Sequence, residues 1–131
     1  AFKELKSYVH DYPNAKESDK IRKLLADVVA RLMRHELYVA RFYLHKDNYE
    51  AAVARITYAL RTYGEADSAV VTSADPGLKA EALLLLGTTY LKMEKWGDAR
   101  QAFEAIVRGY AQSPLATEAR NYLTFLRQKG V

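Results

Sequence analysis

A chain of 131 residues, half of them apolar and with only six glycines and three prolines, is long enough to bury one continuous core and is not a disordered composition. The absence of cysteine excludes disulfides and thiolate metal sites without fixing a redox compartment. A net charge of +4, spread along the chain, excludes a concentrated basic block, and no apolar run reaches the length of a membrane span.

Six helices are predicted. Ala1 to about Asp11 places Phe2, Leu5 and Val9 on one face, and Tyr12-Pro13-Asn14 stops it because proline biases its predecessor away from helix. Helical periodicity is already running at Ala1 with no signal-peptide pattern, so upstream sequence is expected. From about Ser18 to Lys46 neither Gly nor Pro interrupts, which predicts one unusually long helix capped by Ser18 or Asn14. Asp47-Asn48 turns the chain into a helix from Tyr49 to Tyr63, ended by Gly64. Glu65 to Gly77, with the turn signal Asp75-Pro76-Gly77, reads as an inserted loop. Helices follow from about Leu78 to Lys92 and from Lys95 to Gly109, and Ser113-Pro114 opens a last helix carrying Ala116, Ala119, Leu123 and Leu126.

The chain repeats itself. Ala40, Tyr43, Tyr49, Ala52, Ile56, Ala59 and Tyr63 return 47 residues later as Gly87, Tyr90, Trp96, Ala99, Phe103, Ile106 and Tyr110. Small residues where two helices cross, and large ones between stacked hairpins, are the layout of a tetratricopeptide unit of about 34 residues, the extra length being the inserted loop. The expected fold is therefore an all-α, right-handed tetratricopeptide-repeat solenoid forming one domain over 1–131. Its parts are the second helix of a truncated repeat (1–14), a full repeat with a long first helix (15–64), the loop insertion (65–77), a second full repeat (78–112) and a capping helix (113–131).

Such units bind partners. Repeat geometry nominates an inner groove lined by Arg34, Leu37, Arg41 and His45 on one helix and by Glu81, Leu84, Thr88 and Lys92 on the next. A row with Arg34, Arg41 and Lys92 suits an extended acidic segment or a terminal carboxylate; a solvated face is the alternative. Catalytic signals are poor. His10, His35 and His45 are the only histidines, and His35-Glu36 lacks the second His of a zinc-protease helix. There is no phosphate loop or nucleophile elbow. The positive charges Lys20, Arg22, Lys23, Arg31 and Arg34 alternate with Asp19, Asp27 and Glu36, a mixed solvated face rather than a nucleic-acid surface. No enzyme activity, metal or cofactor is expected.

The run His35-Glu36-Leu37-Tyr38-Val39-Ala40-Arg41-Phe42-Tyr43-Leu44, followed by Asn48-Tyr49-Glu50-Ala51-Ala52 and Arg55, resembles the BamD (YfiO, ComL) family of the outer-membrane β-barrel assembly (BAM) machinery. The Tyr12-Pro13 helix ending also fits, although cell-division and Tol-Pal repeat proteins share it. The resemblance implies a scaffold lipoprotein at the periplasmic face of the bacterial outer membrane. It would be tethered only by an N-terminal lipid absent from this chain, and would dock on the POTRA domains of the barrel-forming subunit and on other lipoproteins of the machinery. It also implies that Arg55, at the edge of the Ala52, Ile56, Ala59 face, lies at the POTRA contact; otherwise Arg55 is solvated or pairs with Glu50 or Glu36. The endings Tyr63-Gly64 and Tyr110-Ala111 lack the family's proline. The alternative is a general periplasmic peptide-binding adaptor of the Tol-Pal or cell-envelope coordinator type.

Overall fold

A computed structural model describes residues 2–12, 17–64 and 76–131. Among the described residues there are six α-helices and no strand: α1 (Phe2–Asp11), α2 (Ser18–His45), α3 (Tyr49–Ala59), α4 (Pro76–Lys92), α5 (Trp96–Gly109) and α6 (Leu115–Lys129). Each packs mainly on its neighbours in sequence, with smaller contacts between α2 and α4 and between α4 and α6. Short turns between α2 and α3, α4 and α5, and α5 and α6 return the chain on itself, so the helices form the nearest-neighbour stack of a tetratricopeptide-like fold.

The predicted boundaries move in three places. Pro76 and Gly77 open α4 instead of closing a loop, since proline lacks only an N–H that the first helical turn leaves unused; the rest of the proposed insertion, 65–75, lies outside the described residues. Beyond Ala59, Leu60–Gly64 continues as a π-helical turn, so Gly64 ends a widened turn and not an α-helix. Finally, α2 follows Glu17 without a side-chain cap: Ser18 is already helical, and Asn14, like Pro13, lies outside the described residues.

The turns after α2 and α4 repeat atom for atom at the 47-residue offset. Asp47 and Glu94 both take positive φ, 56° and 58°. The N–H groups of Asn48 and Asp47 donate to the carbonyls of Tyr43 (2.9 Å) and Leu44 (3.0 Å), and those of Lys95 and Glu94 to Tyr90 (2.9 Å) and Leu91 (3.0 Å). This paired closure around one left-handed residue is a Schellman motif, which satisfies carbonyls that a helix end leaves open. Only the first turn then caps the next helix, through Asn48 Oδ1 accepting from the Ala51 N–H at 3.3 Å; Lys95 at the matching place has no acceptor to offer.

Two apolar clusters share α4. The first joins Leu25, Val29, Met33, Leu37 and Ala40 of α2 with Ala52, Ile56 and Ala59 of α3, and with Leu78 and Ala82. The second joins Ala99, Phe103 and Ile106 of α5 with Ala116, Ala119 and Leu126 of α6. The run Leu83–Leu86 explains the sharing: Leu85 and Leu86 pack on the first cluster, Leu83 and Leu84 on the second. A helix buried on two sides loses the one-sided apolar stripe of a surface helix. Where α4 meets α5, a Cβ added to Gly87 would lie 2.6 Å from Phe103 Cε1, so the glycine is what admits the ring, which also stacks on Tyr122 at 4.7 Å.

Candidate functional site

On α3, Ala52, Ile56 and Ala59 recur at helical spacing and are fully buried, which places Arg55 at the margin of that face. Its Nη1 donates to Glu36 Oε2 at 3.2 Å, the pairing within the chain given above as the alternative to a partner contact. The two ends of this pair differ: the Arg55 side chain is 47% exposed and that of Glu36 11%. A nearly buried carboxylate without a partner is costly, so Arg55 meets a need of α2 while half of its side chain still faces outward. Behind the pair, burial, then Tyr58 and then the charge of Glu36 push the Tyr63 phenol up, and the Tyr58 and Tyr63 rings meet edge to face at 6.2 Å.

The seats of this pair are informative. Shifted by 47 residues, Glu36 and Arg55 correspond to Leu83 and Ala102. Ala102 is 5% exposed and Leu83 packs on the second cluster. The repeat framework thus accepts an apolar residue at each of these seats, and the fold alone does not call for charge there.

The proposed groove residues separate. Leu37 does not line a groove: it is 1% exposed and belongs to the core row of Ala26, Val29, Met33 and Ala40, three or four residues apart. Arg34 and His45 are exposed. Arg41 Nη2 donates to Glu81 Oε1, tying α2 to α4 and neutralising one charge of the expected cationic row. Leu84 packs on the second cluster, and Thr88 Oγ1 donates to the Leu85 carbonyl at 3.0 Å. What the outer side of α2 does present is Tyr38 and Phe42, 70% and 53% exposed, with Lys46 Nζ 5.6 Å from the Phe42 ring centre.

Lys92 instead edges an open groove of 490 Å³ formed with Leu91, Trp96, Asn121, Tyr122 and Phe125. Repeat spacing assigns Trp96 to the core, where it only partly lies. Phe125 falls outside the core row of Ala116, Ala119, Leu123 and Leu126, the one sequence signal for this groove.

Among the described residues no group of three or more His, Cys, Asp or Glu is placed to hold a metal ion, and no helix is long and apolar enough to cross a membrane. No curated protein matches the chain. Residues 1–75 match the family model YfiO, described as outer membrane lipoprotein. That span is more than half of the sequence and contains both the His35 to Leu44 run and Arg55: the chain belongs to the YfiO family of outer membrane lipoproteins, the BamD type.

Proposed function

We propose that this chain is a non-catalytic scaffold of the outer-membrane β-barrel assembly machinery, working at the periplasmic face and docking on a POTRA domain of the barrel-forming subunit through the Arg55 edge of α3. The observation that carries the reading is the family match over residues 1–75, which takes in Arg55; the docking edge is supported by the Arg55 side chain staying 47% exposed beside Glu36, at seats where the second repeat does without charge. Holding one guanidinium nitrogen on a nearly buried carboxylate orients the remaining donors before a partner arrives, which lowers the entropy lost on binding. A folded POTRA domain with an exposed carboxylate fits this presentation. The peptide-adaptor reading has less support, because Leu37 lies in the core and Arg41 is paired with Glu81.

The test is calorimetric titration of the POTRA region of the barrel-forming subunit into wild type and into Glu36→Leu/Arg55→Ala, which grafts the second repeat's pair onto the first. Affinity is expected to fall at least tenfold, about 1.4 kcal/mol, with the thermal midpoint retained. Equal affinity in the folded double variant would remove the docking assignment.

A further inference from the structure

The groove between the end of α4, the start of α5 and the middle of α6 lies wholly beyond residues 1–75 and is independent of the Arg55 edge. Its walls are Leu91, Trp96, Tyr122 and Phe125, with Lys92 and Asn121 beside them. Phe125 leaves 45% of its surface in water although it stands one position from fully buried Leu126. A second cation stands over the same ring system: Lys129 Nζ lies 4.8 Å from the Trp96 ring centre. The groove therefore combines an aromatic floor with the Lys92 ammonium in its lining and the Lys129 ammonium against the Trp96 ring, and no carboxylate is among the described lining residues. Asp98, two residues beyond Trp96, acts on the Tyr90 phenol, which burial first and then this charge push up.

We propose that this groove binds a segment of another protein that inserts a large apolar side chain, aromatic or aliphatic, flanked by acidic residues. The volume falls within the range of about 300–1,000 Å³ that holds compact ligands. Aromatic walls favour an inserted side chain, and partly exposed ring surface is the usual anchor of such contacts. Lys92 and Lys129 set the sign of the flanks, since ammonium groups attract carboxylates and repel a cationic segment. Complementarity also argues against a second copy of this chain, whose net charge is +4. A concave floor of four apolar side chains suits one inserted residue better than a flat lipid surface.

Trp96 is the sole tryptophan, so intrinsic fluorescence reads this groove directly. The probe is a blocked octapeptide, acetyl-Gly-Glu-Asp-Phe-Leu-Glu-Asp-Gly-amide, titrated into the whole chain beside a version with lysine at the four acidic positions. Saturable quenching or shift of Trp96 by the acidic peptide is expected, with at least tenfold weaker response to the lysine peptide. Phe125→Ser and Lys92→Glu/Lys129→Glu should each weaken the acidic peptide at least tenfold. Both change exposed positions, and circular dichroism melts would check that the variants are folded. Equal response to both peptides, or no saturable response, would overturn the proposal. So would a Trp96 response to vesicles of phosphatidylglycerol and phosphatidylethanolamine without any to the peptide, which would assign the groove to lipid.

Discussion

The two helical hairpins, α2 with α3 and α4 with α5, share a turn and differ in what fills it. Their Schellman closures coincide at Asp47 and Glu94, yet the matching seats hold Ala40 and Ile56, both buried in one cluster, in the first and Gly87 against Phe103 in the second. A small residue gives up a methyl group on one helix and a larger ring takes the space on the next, so the framework conserves volume at the crossing more than identity. At the margin the hairpins diverge in kind: Glu36 with Arg55 against Leu83 with Ala102. Volume exchange is what packing requires; a change from two apolar residues to an ion pair is not, which is why the second difference, unlike the first, supports the proposed docking edge.

The sharpest way to break the comparison is at the crossing. Gly87→Ala adds a methyl group against a ring already stacked on Tyr122, and overpacking of this sort costs roughly 1–3 kcal/mol, offset in part by about 1 kcal/mol of better helix propensity. A net loss of up to about 2 kcal/mol in urea unfolding is expected. In a Phe103→Ile background, which copies the first hairpin, the same substitution should become neutral or stabilising; destabilisation of equal size in both backgrounds would show that the ring is not the obstacle.

The ion pair comes next. Arg55→Ala strands a nearly buried carboxylate and is expected to cost roughly 1–3 kcal/mol, whereas Glu36→Leu/Arg55→Ala, by copying the second hairpin, should return to within about 1 kcal/mol of wild type. Urea midpoints of the two variants and the parent check this, and a double variant as unstable as Arg55→Ala would mean that the pair supports the fold as well as the partner.

Alkaline titration addresses a smaller effect. Burial, the first cause in each case, raises the phenols of Tyr49 and Tyr63 in the first hairpin and of Tyr90 and Tyr110 in the second above the ordinary 10.0. A phenol raised by folding contributes stability that is fully present below its unfolded pKa and is lost as pH rises through the folded one, because the unfolded chain releases its proton first. Urea midpoints should therefore be insensitive to these groups below about pH 9 and should decline above pH 10.0. The decline should shrink more in Tyr90→Phe/Tyr110→Phe than in Tyr63→Phe. Equal alkaline slopes in all three proteins would count against it.

The smallest expected effect restores a missing cap. Lys95→Asn gives the second hairpin the acceptor that Asn48 supplies in the first and should add about 0.5–1 kcal/mol, read as a higher urea midpoint. A midpoint at or below wild type would mean that the first turn of α5 is already satisfied.

Most of the helix order was legible because core seats recur at three and four residues and because two copies check each other: Ala52, Ile56 and Ala59 stand to α3 as Ala99, Phe103 and Ile106 do to α5, and all six are fully buried. Leu37 was misread for a physical reason. A row stepped along one helix drifts around it, and the step from Arg34 to Leu37 crosses from the exposed side into the buried one. The Arg41–Glu81 pair was hidden because its members sit on different helices, and periodicity orders residues only within one. Glu36 was more accessible to sequence reasoning, since an acid three residues after Met33 and four before Ala40 falls on a buried row and calls for a partner. The groove at Phe125 depends on three helices meeting, and nothing local to α6 beyond the stray position of that ring announces it.

The leucine run of α4 couples the halves of the molecule. Opening the first cluster bares Leu85 and Leu86, opening the second bares Leu83 and Leu84, and either event loosens the helix on which the other cluster rests. In the nearest-neighbour description of repeat arrays, α4 is both an intrinsic unit and an interface to each side, so the interfacial energy is concentrated in it. A domain made of separable pieces is thereby expected to unfold as one cooperative body, which coincident urea transitions followed by Trp96 fluorescence and by circular dichroism would check.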